Sequence, residues 1–357
     1  MHIGVDAREL GGQATGVGRY LQRLLAEWAR GPAGHRWTLY SPDGRLAVPE
    51  GLDAHVALVP GAGGTRWEQG ALAAAIRADR PDVLFAPGYT APLRVRAPLV
   101  VAMHDVSFAA HPEWFTWREG ARRRFIARRS ARKARLVLTI SEFSRQQIEE
   151  HLGIAASKIR VIPLGVGVPA GGTRAGREPM VLFVGTVFNR RHVPALIDAF
   201  ALLARAHPAL RLEIVGGNRT HPFEDLQAAV DASGLGDRIR IRDWVDDGDL
   251  IGLYRRASAF AFLSEYEGFG LTPLEALAAG IPPVVLDRPV LREVLGDAAR
   301  FVATPDAHAV AAGLSAVLFD PVERQRLLSA AGPVLGRYDW RRTAEVTLRA
   351  LEEAGRP

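Results

Sequence analysis

Short apolar runs alternate with amphipathic stretches along nearly the whole chain. Before residue 166 these runs are "HIGVDA", "RWTLYS", "HVALVP", "DVLFAPG", "LVVAMHD", "RLVLTIS" and "IRVIPLG". After it they are "MVLFVGT", "LRLEIVGG", "RIRIRDWV", "AFAFLS", "PPVVLD" and "ARFVAT". Segments with helical periodicity lie between them, for example residues 19–29 and 195–206. Nearly continuous apolar strands that alternate with helices predict parallel sheets covered by helices on both faces.

Residues 166–180 interrupt this alternation with "VGVPAGGTRAGREPM", which is dense in Gly and Pro and lacks periodicity. The chain has 357 residues, which exceeds the length at which single cores usually stop growing. We therefore predict an α/β fold of two doubly wound, Rossmann-like parallel-sheet domains, 1–168 and 169–338. They should face each other across a cleft, with the ligand at the carboxyl ends of the strands. Residues 339–357 are predicted to form a terminal helix.

The composition narrows the class of protein. Hydrophobic residues make up 48% of the chain and charged residues 24%, as in ordinary soluble proteins. The absence of cysteine excludes a disulfide framework, a thiolate metal site and a Cys nucleophile. Charge begins at Asp6, and the apolar runs are far shorter than the roughly 20 residues that span a bilayer. We expect a soluble, cytoplasmic protein.

The net charge of +6 is unevenly distributed. Residues 1–170 contain 23 Lys and Arg against 15 Asp and Glu, and much of the excess lies in residues 117–135, "WREGARRRFIARRSARKAR". Such a helix is either a solvated face or a patch that meets anionic lipid head groups. We expect no nucleic-acid partner, because neither an aromatic platform nor a nucleic-acid motif accompanies the arginines.

The stretch "EYEGFGLTPLEALAAG" contains the most informative local pattern. Thr272 and Glu275, with a proline after the threonine, fit a capping box in which Thr272 is the N-cap. That interpretation leaves Glu267, Gly268 and Gly270 unexplained. Glycines directly before a helix let the backbone approach a ligand, and the free N–H groups there bind anions.

A second motif, "VGTVFNRRHVPAL", places Gly185 at the end of a predicted strand and Arg190 and Arg191 just before a helix. Solvation explains any isolated arginine pair. At the ligand-binding edge of a doubly wound sheet, however, two adjacent cations suit a diphosphate whose charge rises as its bond to a sugar breaks.

Two weaker features lie in the first half of the chain. Gly16 and Gly18 follow the first strand, in either a tight turn or a loop that approaches a ligand. They do not complete the dinucleotide fingerprint, because Leu21 stands where the third glycine is required. His104 follows a buried-looking strand, either as a structural residue or as one displayed to a ligand.

Taken jointly, these motifs resemble the large retaining glycosyltransferase family 4, which has the GT-B fold. The resemblance runs over essentially the whole chain. It is carried by "TGVGRY", "HD", "SEFSRQQI", "VIPLGVG", "FVGT", "NRRHVPALIDAF", "EYEGFGLTPLEALAAG" and the Trp of "YDWRRTAEVTL". The pair Glu267 and Glu275 is its most specific part, and the glycine loop its least specific.

The resemblance implies roles for individual residues. Arg190 and Arg191 would hold the donor diphosphate, Glu267 would lie by the donor sugar, and His104 would face that sugar from the first domain. It also places Trp244 and Val245 at the base of the donor and Glu275 at its ribose. The other donor-binding residues that it implies are Gly16, Gly18, Gly185, Phe269, Gly270, Leu271 and Thr272. In this fold the terminal helix crosses back to the first domain.

The chain departs from the family pattern at three places. The family commonly has Arg-Lys-Asn where this chain has Arg190-Arg191-His192. The planar guanidinium of Arg191 therefore replaces a lysine ammonium. Gly167 replaces the aspartate of a Gly-Val-Asp motif. Asp287 and Arg288 stand where many members have small residues, which alters the expected contacts near the donor.

The resemblance implies transfer of a hexose from GDP-mannose or a UDP-sugar to a hydroxyl of a glycan or lipid-linked acceptor, with retention. The leaving phosphate would take the acceptor proton, so we expect neither a cofactor nor a metal. Membrane-proximal acceptors, together with residues 117–135, predict peripheral association with the inner face of the membrane. A nucleotide-sugar epimerase of the same fold and a non-catalytic nucleotide-sugar-binding protein are the alternatives. A dinucleotide dehydrogenase is disfavoured by the incomplete fingerprint.

Overall fold

A computed structural model of the chain describes residues 1–11, 16–31, 34–44, 46–167 and 176–356. The chain divides into two compact units. The first comprises Met1–Gly165 together with Tyr338–Pro357, and the second comprises Val166–Arg337. The predicted boundary between residues 168 and 169 lies outside the described residues.

The first unit is built on a parallel sheet of seven strands. The strands are β1 His2–Asp6, β2 Arg36–Ser41, β3 Ala54–Leu58, β4 Val83–Ala86, β5 Leu99–Ala102, β6 Leu136–Thr139 and β7 Ile159–Val161. Their order is β3-β2-β1-β4-β5-β6-β7, so the direction of winding reverses between β1 and β4. The helices are α1 Gly16–Arg30, α2 Thr65–Trp67, α3 Ala73–Asp79, α4 Ser107–Ala110, α5 Trp117–Lys133 and α6 Glu142–Leu152. A π-helical turn, Glu68–Leu72, joins α2 to α3.

The second unit repeats this plan with six parallel strands. They are β8 Met180–Val184, β9 Arg211–Val215, β10 Ile239–Arg242, β11 Ala259–Phe262, β12 Pro283–Leu286 and β13 Arg300–Val302. Their order is β10-β9-β8-β11-β12-β13, with the reversal between β8 and β11. The helices are α7 Val193–Ala204, α8 Leu226–Ser233, α9 Asp247–Arg256, α10 Leu271–Ala278, α11 Pro289–Leu295, α12 Ala307–Phe319, α13 Pro321–Ser329 and α14 Ala331–Leu335.

The central strands of both sheets are buried along their whole length, because helices cover both faces. Every residue of β1, β4, β5, β8 and β11 is buried. The strands predicted from apolar runs are all present, and the prediction of two doubly wound parallel sheets is confirmed. The predicted helical segments 19–29 and 195–206 fall within or overlap α1 and α7.

The terminal helix, α15 Trp340–Gly355, belongs to the first unit although the second unit precedes it in sequence. The Asp339 side chain accepts a hydrogen bond from the Arg342 amide at 2.8 Å and so caps the helix. The helix packs on α1, where the Trp28 indole donates to the Ala344 carbonyl at 2.9 Å. Gly165 lies so close that an added Cβ would stand 2.3 Å from the Trp340 backbone nitrogen, so only glycine fits there.

Candidate active site

The main cluster of charged residues lies where the winding of the second sheet reverses. Doubly wound sheets bind ligands at this point, outside the carboxyl ends of the strands. Strand β8 is followed by a short 3₁₀ turn, Asn189–Arg191, and β11 by the segment that leads into α10. The Glu265 amide donates to the Arg190 carbonyl at 2.9 Å, which joins the two segments through the backbone.

Arg191 and Glu267 form an ion pair at the centre of this cluster. The Nε and Nη2 groups of Arg191 donate to Glu267 Oε1 at 2.9 and 2.7 Å, and the Ser264 hydroxyl donates to the same oxygen at 2.8 Å. Arg191 Nη1 donates to the Thr186 carbonyl at 2.8 Å, and its guanidinium lies 5.0 Å from the Phe262 ring centroid. Only 12% and 15% of the two charged side chains are exposed, so the pair is held rigidly.

Gly185 allows this arrangement by its conformation and by its lack of a side chain. Its φ of 142° is one that residues with a Cβ rarely adopt. A Cβ at this position would lie 2.6 Å from Arg191 Nη1. The glycine predicted at the end of the strand is therefore what lets the Arg191 guanidinium lie against the backbone.

Arg190 and His192 flank Arg191 in different environments. The Arg190 guanidinium stacks over the Phe188 ring, 4.2 Å from its centroid. His192 has left-handed backbone, with φ of 47°, and its Nε2 is 3.0 Å from Glu265 Oε1. Arg288 reaches the same carboxylate oxygen at 3.9 Å. Two residues from the departures from the family pattern, His192 and Arg288, thus meet at one carboxylate beside the arginine pair.

The start of α10 differs from the predicted capping box. The helix begins at Leu271, its N-cap is Gly270 with φ of 97°, and no side chain caps it. Thr272 is already inside the first turn, so the prediction of Thr272 as N-cap paired with Glu275 is wrong. The left-handed N-cap favours glycine, and an added Cβ would lie 2.7 Å from Leu291 Cδ2.

The remaining predicted donor-site residues of the second unit lie along the same edge. The Tyr254 hydroxyl donates to Glu275 Oε2 at 3.4 Å. Phe269 is buried, whereas Trp244 is 63% exposed. Val245 follows Trp244 in the segment between β10 and α9. This gives the edge an exposed indole on one side and a carboxylate on a rigid helix on the other.

In the first unit, His104 lies just beyond the carboxyl end of β5, close to the reversal point of that sheet. Its ring is buried and its Nε2 lies 2.9 Å from the Pro87 carbonyl. A carbonyl only accepts, so Nε2 carries the proton and Nδ1 is the acceptor of the neutral ring. Burial lowers the pKa of His104, against smaller opposing effects of Pro87 and Asp105, which keeps the ring neutral. The rings of Tyr20 and Tyr89 meet it edge-on at 4.8 and 5.8 Å.

The two predicted loop glycines of the first unit occupy the start of a helix. Gly16 and Gly18 are the first and third residues of α1, so the expectation that they lie in a tight turn or a loop is wrong. Residues 12–15, which complete the glycine-rich motif, lie outside the described residues. The α1 helix begins at Gly16, three residues before the segment that the periodicity predicted.

The basic segment forms α5 and presents a strongly cationic face. Its buried side is made of small residues, Gly120, Ala127, Ser130 and Ala131. Trp117 and Phe125 of the same helix are 75% and 58% exposed. Arg118 lies over the Trp117 ring at 5.8 Å and Arg129 over the Phe125 ring at 5.0 Å. The face therefore combines arginines with exposed aromatic rings.

Sequence reasoning missed several residues that hold the site together. Ser264, Phe262, Thr186 and Phe188 contact the Arg191–Glu267 pair or Arg190, yet none was singled out. The available signal was positional, because Phe262 ends β11 and the other three lie within four residues after the end of β8 or β11. Among the described residues no group of three or more His, Asp or Glu could hold a metal ion, and no helix is long and apolar enough to cross a membrane.

Comparison with known proteins shows relatives for both halves of the chain. A family model described as Glycosyltransferase Family 4 matches residues 14–168, and one described as Glycosyl transferases group 1 matches residues 170–332. The chain is 27% identical to O-antigen chain mannosyltransferase B of Escherichia coli over 290 residues, which cover 78% of this chain and 76% of that protein.

Solved structures share the fold over nearly the full length. Sucrose-phosphate synthase from Thermosynechococcus elongatus matches with a TM-score of 0.79 at 18% identity, covering 99% of this chain and 98% of the other. Anabaena Alr3699/HepE, solved in complex with UDP and glucose, matches with a TM-score of 0.75 at 19% identity, covering 98% and 99%. At this identity the likeness shows the fold alone, which confirms the GT-B class. The two family models, which together match most of the chain, and the mannosyltransferase relative show that the chain is a glycosyltransferase similar to family 4.

Proposed function

We propose that this glycosyltransferase moves a hexose from a nucleotide diphosphate sugar to a hydroxyl group of a glycan or lipid-linked acceptor, with retention of anomeric configuration. The observation that carries the proposal is the Arg191–Glu267–Ser264 cluster at the reversal point of the second sheet. It combines a fixed carboxylate for a sugar with adjacent cations for a diphosphate, at the edge where doubly wound sheets bind ligands.

Arg190 and Arg191 have different roles in this proposal. Arg191 is already paired with Glu267, so its main task is to orient that carboxylate. Three of its five N–H donors are already bound within the protein, which leaves two for a phosphate. Arg190 stacks on Phe188, which directs a planar cation toward the donor diphosphate. The N-terminal amides of α10, which no side chain caps, add partial positive charge.

Glu267 and His104 are proposed to contact the donor sugar. All hydrogen bonds made by the Glu267 carboxylate to described residues go to Oε1, so Oε2 is the oxygen that accepts from a sugar hydroxyl. His104 with its proton on Nε2 offers Nδ1 as a second acceptor. Each acceptor has a fixed direction within its own unit, which suits it to orient a sugar hydroxyl.

In the proposed reaction the bond between the anomeric carbon and the diphosphate oxygen breaks, and a bond to the acceptor oxygen forms on the same face. The acceptor proton moves to the leaving phosphate oxygen. We propose that Arg190 and the α10 amides stabilise the developing charge and that no metal is required. Addition of EDTA is then expected to leave the rate unchanged, and restoration of an EDTA-suppressed rate by Mg²⁺ would contradict this part.

GDP-mannose is the first donor to test and UDP-sugars are the second. The mannosyltransferase relative supports a mannosyl donor, and the UDP-bound neighbour shows that this fold accepts a uridine nucleotide in another protein. A ligand that binds only the folded state raises the apparent melting temperature. A thermal-shift panel of nucleotide sugars, including nucleotide diphosphates alone, therefore identifies the donor.

The decisive experiment measures transfer with that donor, both to an acceptor panel and to water. Glu267→Gln and Arg190→Ala are expected to lower the rate by at least about 10²-fold, as removal of one charge-stabilising group usually does. Glu150→Gln, a change at a side chain that is 68% exposed, is the matched control. Transfer at the wild-type rate by both folded site variants would overturn the proposal, and conversion of the donor to an isomer would point to an epimerase.

We further propose that α5 associates with an anionic membrane surface at the inner face. Each basic residue near such a surface contributes about 1 kcal/mol, and aromatic side chains prefer the interface. Phe125 lies at the centre of the exposed face and Trp117 at its end, both beneath arginine guanidinium groups.

Vesicle flotation tests this surface with phosphatidylglycerol and phosphatidylcholine vesicles. Wild-type protein should float only with the anionic vesicles, and less as salt rises. Phe125→Ser combined with Arg129→Gln should reduce flotation, whereas the control pair Arg326→Gln and Val322→Ser, exposed on the second unit, should not. Equal flotation on neutral vesicles, or no effect of the α5 changes, would remove the membrane proposal.

A further inference from the structure

A buried cluster of charged residues in the first unit has no part in the chemistry described so far. It consists of Asp6 at the end of β1, Arg8 in the following turn, and Glu68 in the turn between α2 and α3. The side chains are 4%, 16% and 1% exposed. With two carboxylates and one guanidinium it carries a net charge of −1. Such a cluster is costly to bury unless its geometry is well satisfied.

The hydrogen bonds of Arg8 satisfy this condition and connect separate segments. Arg8 Nε donates to both carboxylate oxygens of Asp6 at 3.0 Å. Its Nη2 donates to Glu68 Oε2 at 2.5 Å, and Nη1 donates to the Gly63 carbonyl at 3.2 Å. The guanidinium lies 5.1 Å from the Trp67 ring centroid. Its donors are thus committed to the protein, so the cluster acts through its neighbours rather than on a ligand.

Glu68 extends the cluster to the segment that follows β4, residues 87–91. Its Oε2 accepts a hydrogen bond from the Thr90 hydroxyl at 2.5 Å. The next residue, Gln69, donates through Nε2 to the Ala91 carbonyl at 3.0 Å. Two neighbouring residues of one turn therefore fix the end of this segment.

The other end of the same segment holds the His104 side chain. The Pro87 carbonyl accepts from His104 Nε2 at 2.9 Å, and the Tyr89 ring packs on the imidazole. The Tyr89 hydroxyl also donates to Asp105 Oδ2 at 3.0 Å. Tyr89 has a φ of 62°, which is unfavourable for a bulky residue. Such a conformation persists only where the surroundings determine it.

We propose that the buried cluster of Asp6, Arg8 and Glu68 positions the His104 imidazole by fixing residues 87–91. The contacts run from Arg8 to Glu68, from Glu68 to Thr90, and through four residues of backbone to the Pro87 carbonyl. Arg8, Glu68 and Thr90 are positioning residues in this scheme and touch no substrate. The catalytic consequence rests on the proposed role of His104, whereas the structural consequence for the imidazole does not.

Thr90→Val tests the proposal, because it removes the hydroxyl bound by Glu68 and nearly preserves the side-chain shape. The readout is the ring-nitrogen NMR signal of His104 in the full chain, assigned with His104→Gln. Thr90→Val should shift this signal away from the Nε2–H pattern of the wild-type protein. Thr90→Ser keeps the hydroxyl and should give the wild-type signal. Arg8→Lys, which keeps the charge but cannot span both carboxylates, should shift it as well.

Activity is measured on the same variants with the donor identified by thermal shift. Thr90→Val should lower the transfer rate about tenfold, since small misplacements of positioned groups are costly, with donor affinity unchanged. The double variant with His104→Ala should be no slower than His104→Ala alone. Thr343→Val is the matched control, because it removes a hydroxyl that donates to the Pro163 carbonyl at 2.8 Å elsewhere in the unit.

The outcomes separate the two proposals. An unchanged His104 signal in folded Thr90→Val and Arg8→Lys overturns the positioning role, as does a double variant whose losses simply multiply. An equal shift of the His104 signal in the control Thr343→Val would also overturn the positioning role, because the shift would then reflect a general loss of stability. Normal transfer by His104→Ala would instead contradict the catalytic role of the histidine, and the NMR comparison would still decide whether the cluster positions it.

Discussion

Replacing Gly185 by alanine tests whether the Arg191–Glu267 pair depends on this glycine. Two costs follow from the structure. An alanine at φ of 142° is strained by about 1–3 kcal/mol. Its Cβ would lie 2.6 Å from Arg191 Nη1, so the guanidinium must move and lose its bond to the Thr186 carbonyl, a charged hydrogen bond worth about 1.5–3 kcal/mol.

The control is Gly234→Ala, which separates strain from displacement. Gly234 has a φ of 68° at the end of α8, and nothing lies within 4 Å of its added Cβ. It should cost only the left-handed backbone energy, about 1–2 kcal/mol. Gly185→Ala should therefore lower the urea midpoint of the second unit by more than Gly234→Ala.

The same pair is compared in the transfer assay. Moving Arg191 releases Glu267 from its fixed orientation, so Gly185→Ala should reduce the rate about 10²-fold, whereas Gly234→Ala should leave it unchanged. Equal stability losses and equal rates for the two variants would refute the reasoning. That result would mean that Arg191 adjusts freely and that the carboxylate is not held by it.

Three further predictions address other parts of the molecule. Burial lowers the pKa of His104 from its ordinary 6.5, so the unfolded chain binds more protons as pH drops through 6.5. Stability should therefore fall as pH drops through this value, and His104→Gln should flatten the slope in urea titrations. Gly165→Ala should displace Trp340 and the terminal helix. The tryptophan emission should shift to the red and the unfolding midpoint should fall, and an unchanged spectrum would contradict the close approach. Gly270→Ala should clash with Leu291 and disturb the start of α10. The rise in melting temperature that the donor causes should then shrink by more than the melting temperature of the free protein falls.

The sheets could be predicted from the sequence because their central strands are buried on both faces. The run "VLFVGT", for example, is apolar up to the residue where β8 ends, and the glycine that follows marks the carboxyl edge. Parallel strands also require helical crossovers, and the helical segments between the apolar runs supply them. The predicted doubly wound class follows from these two facts.

The start of α10 shows where such reasoning fails. The sequence around Thr272 satisfies the side-chain rules of a capping box, but the helix begins one residue before it. What decides the start is the backbone of Gly270, whose φ of 97° and contact with Leu291 depend on the packing of α11. Local rules for capping cannot anticipate a neighbour that lies 21 residues away in sequence.

The charged residues of the candidate site could be predicted from the sequence, whereas the contacts that support them could not. Arg190, Arg191 and Glu267 stood out because charge beside glycine at a strand end is unusual. Glu68 carried no such signal, because its partners Asp6 and Arg8 are distant in sequence and its surroundings look like an ordinary amphipathic helix. Residues that hold others in place are recognisable only when the contacts between distant segments are known.

The position of α15 in the first unit has a consequence for synthesis on the ribosome. All of Val166–Arg337 must be translated before the helix that covers Trp28 and the neighbouring surface of α1 emerges. The second unit can therefore complete its core first, although it is encoded later, while the first unit waits with an apolar surface exposed. In the nascent chain the order of completion is the reverse of the order of synthesis.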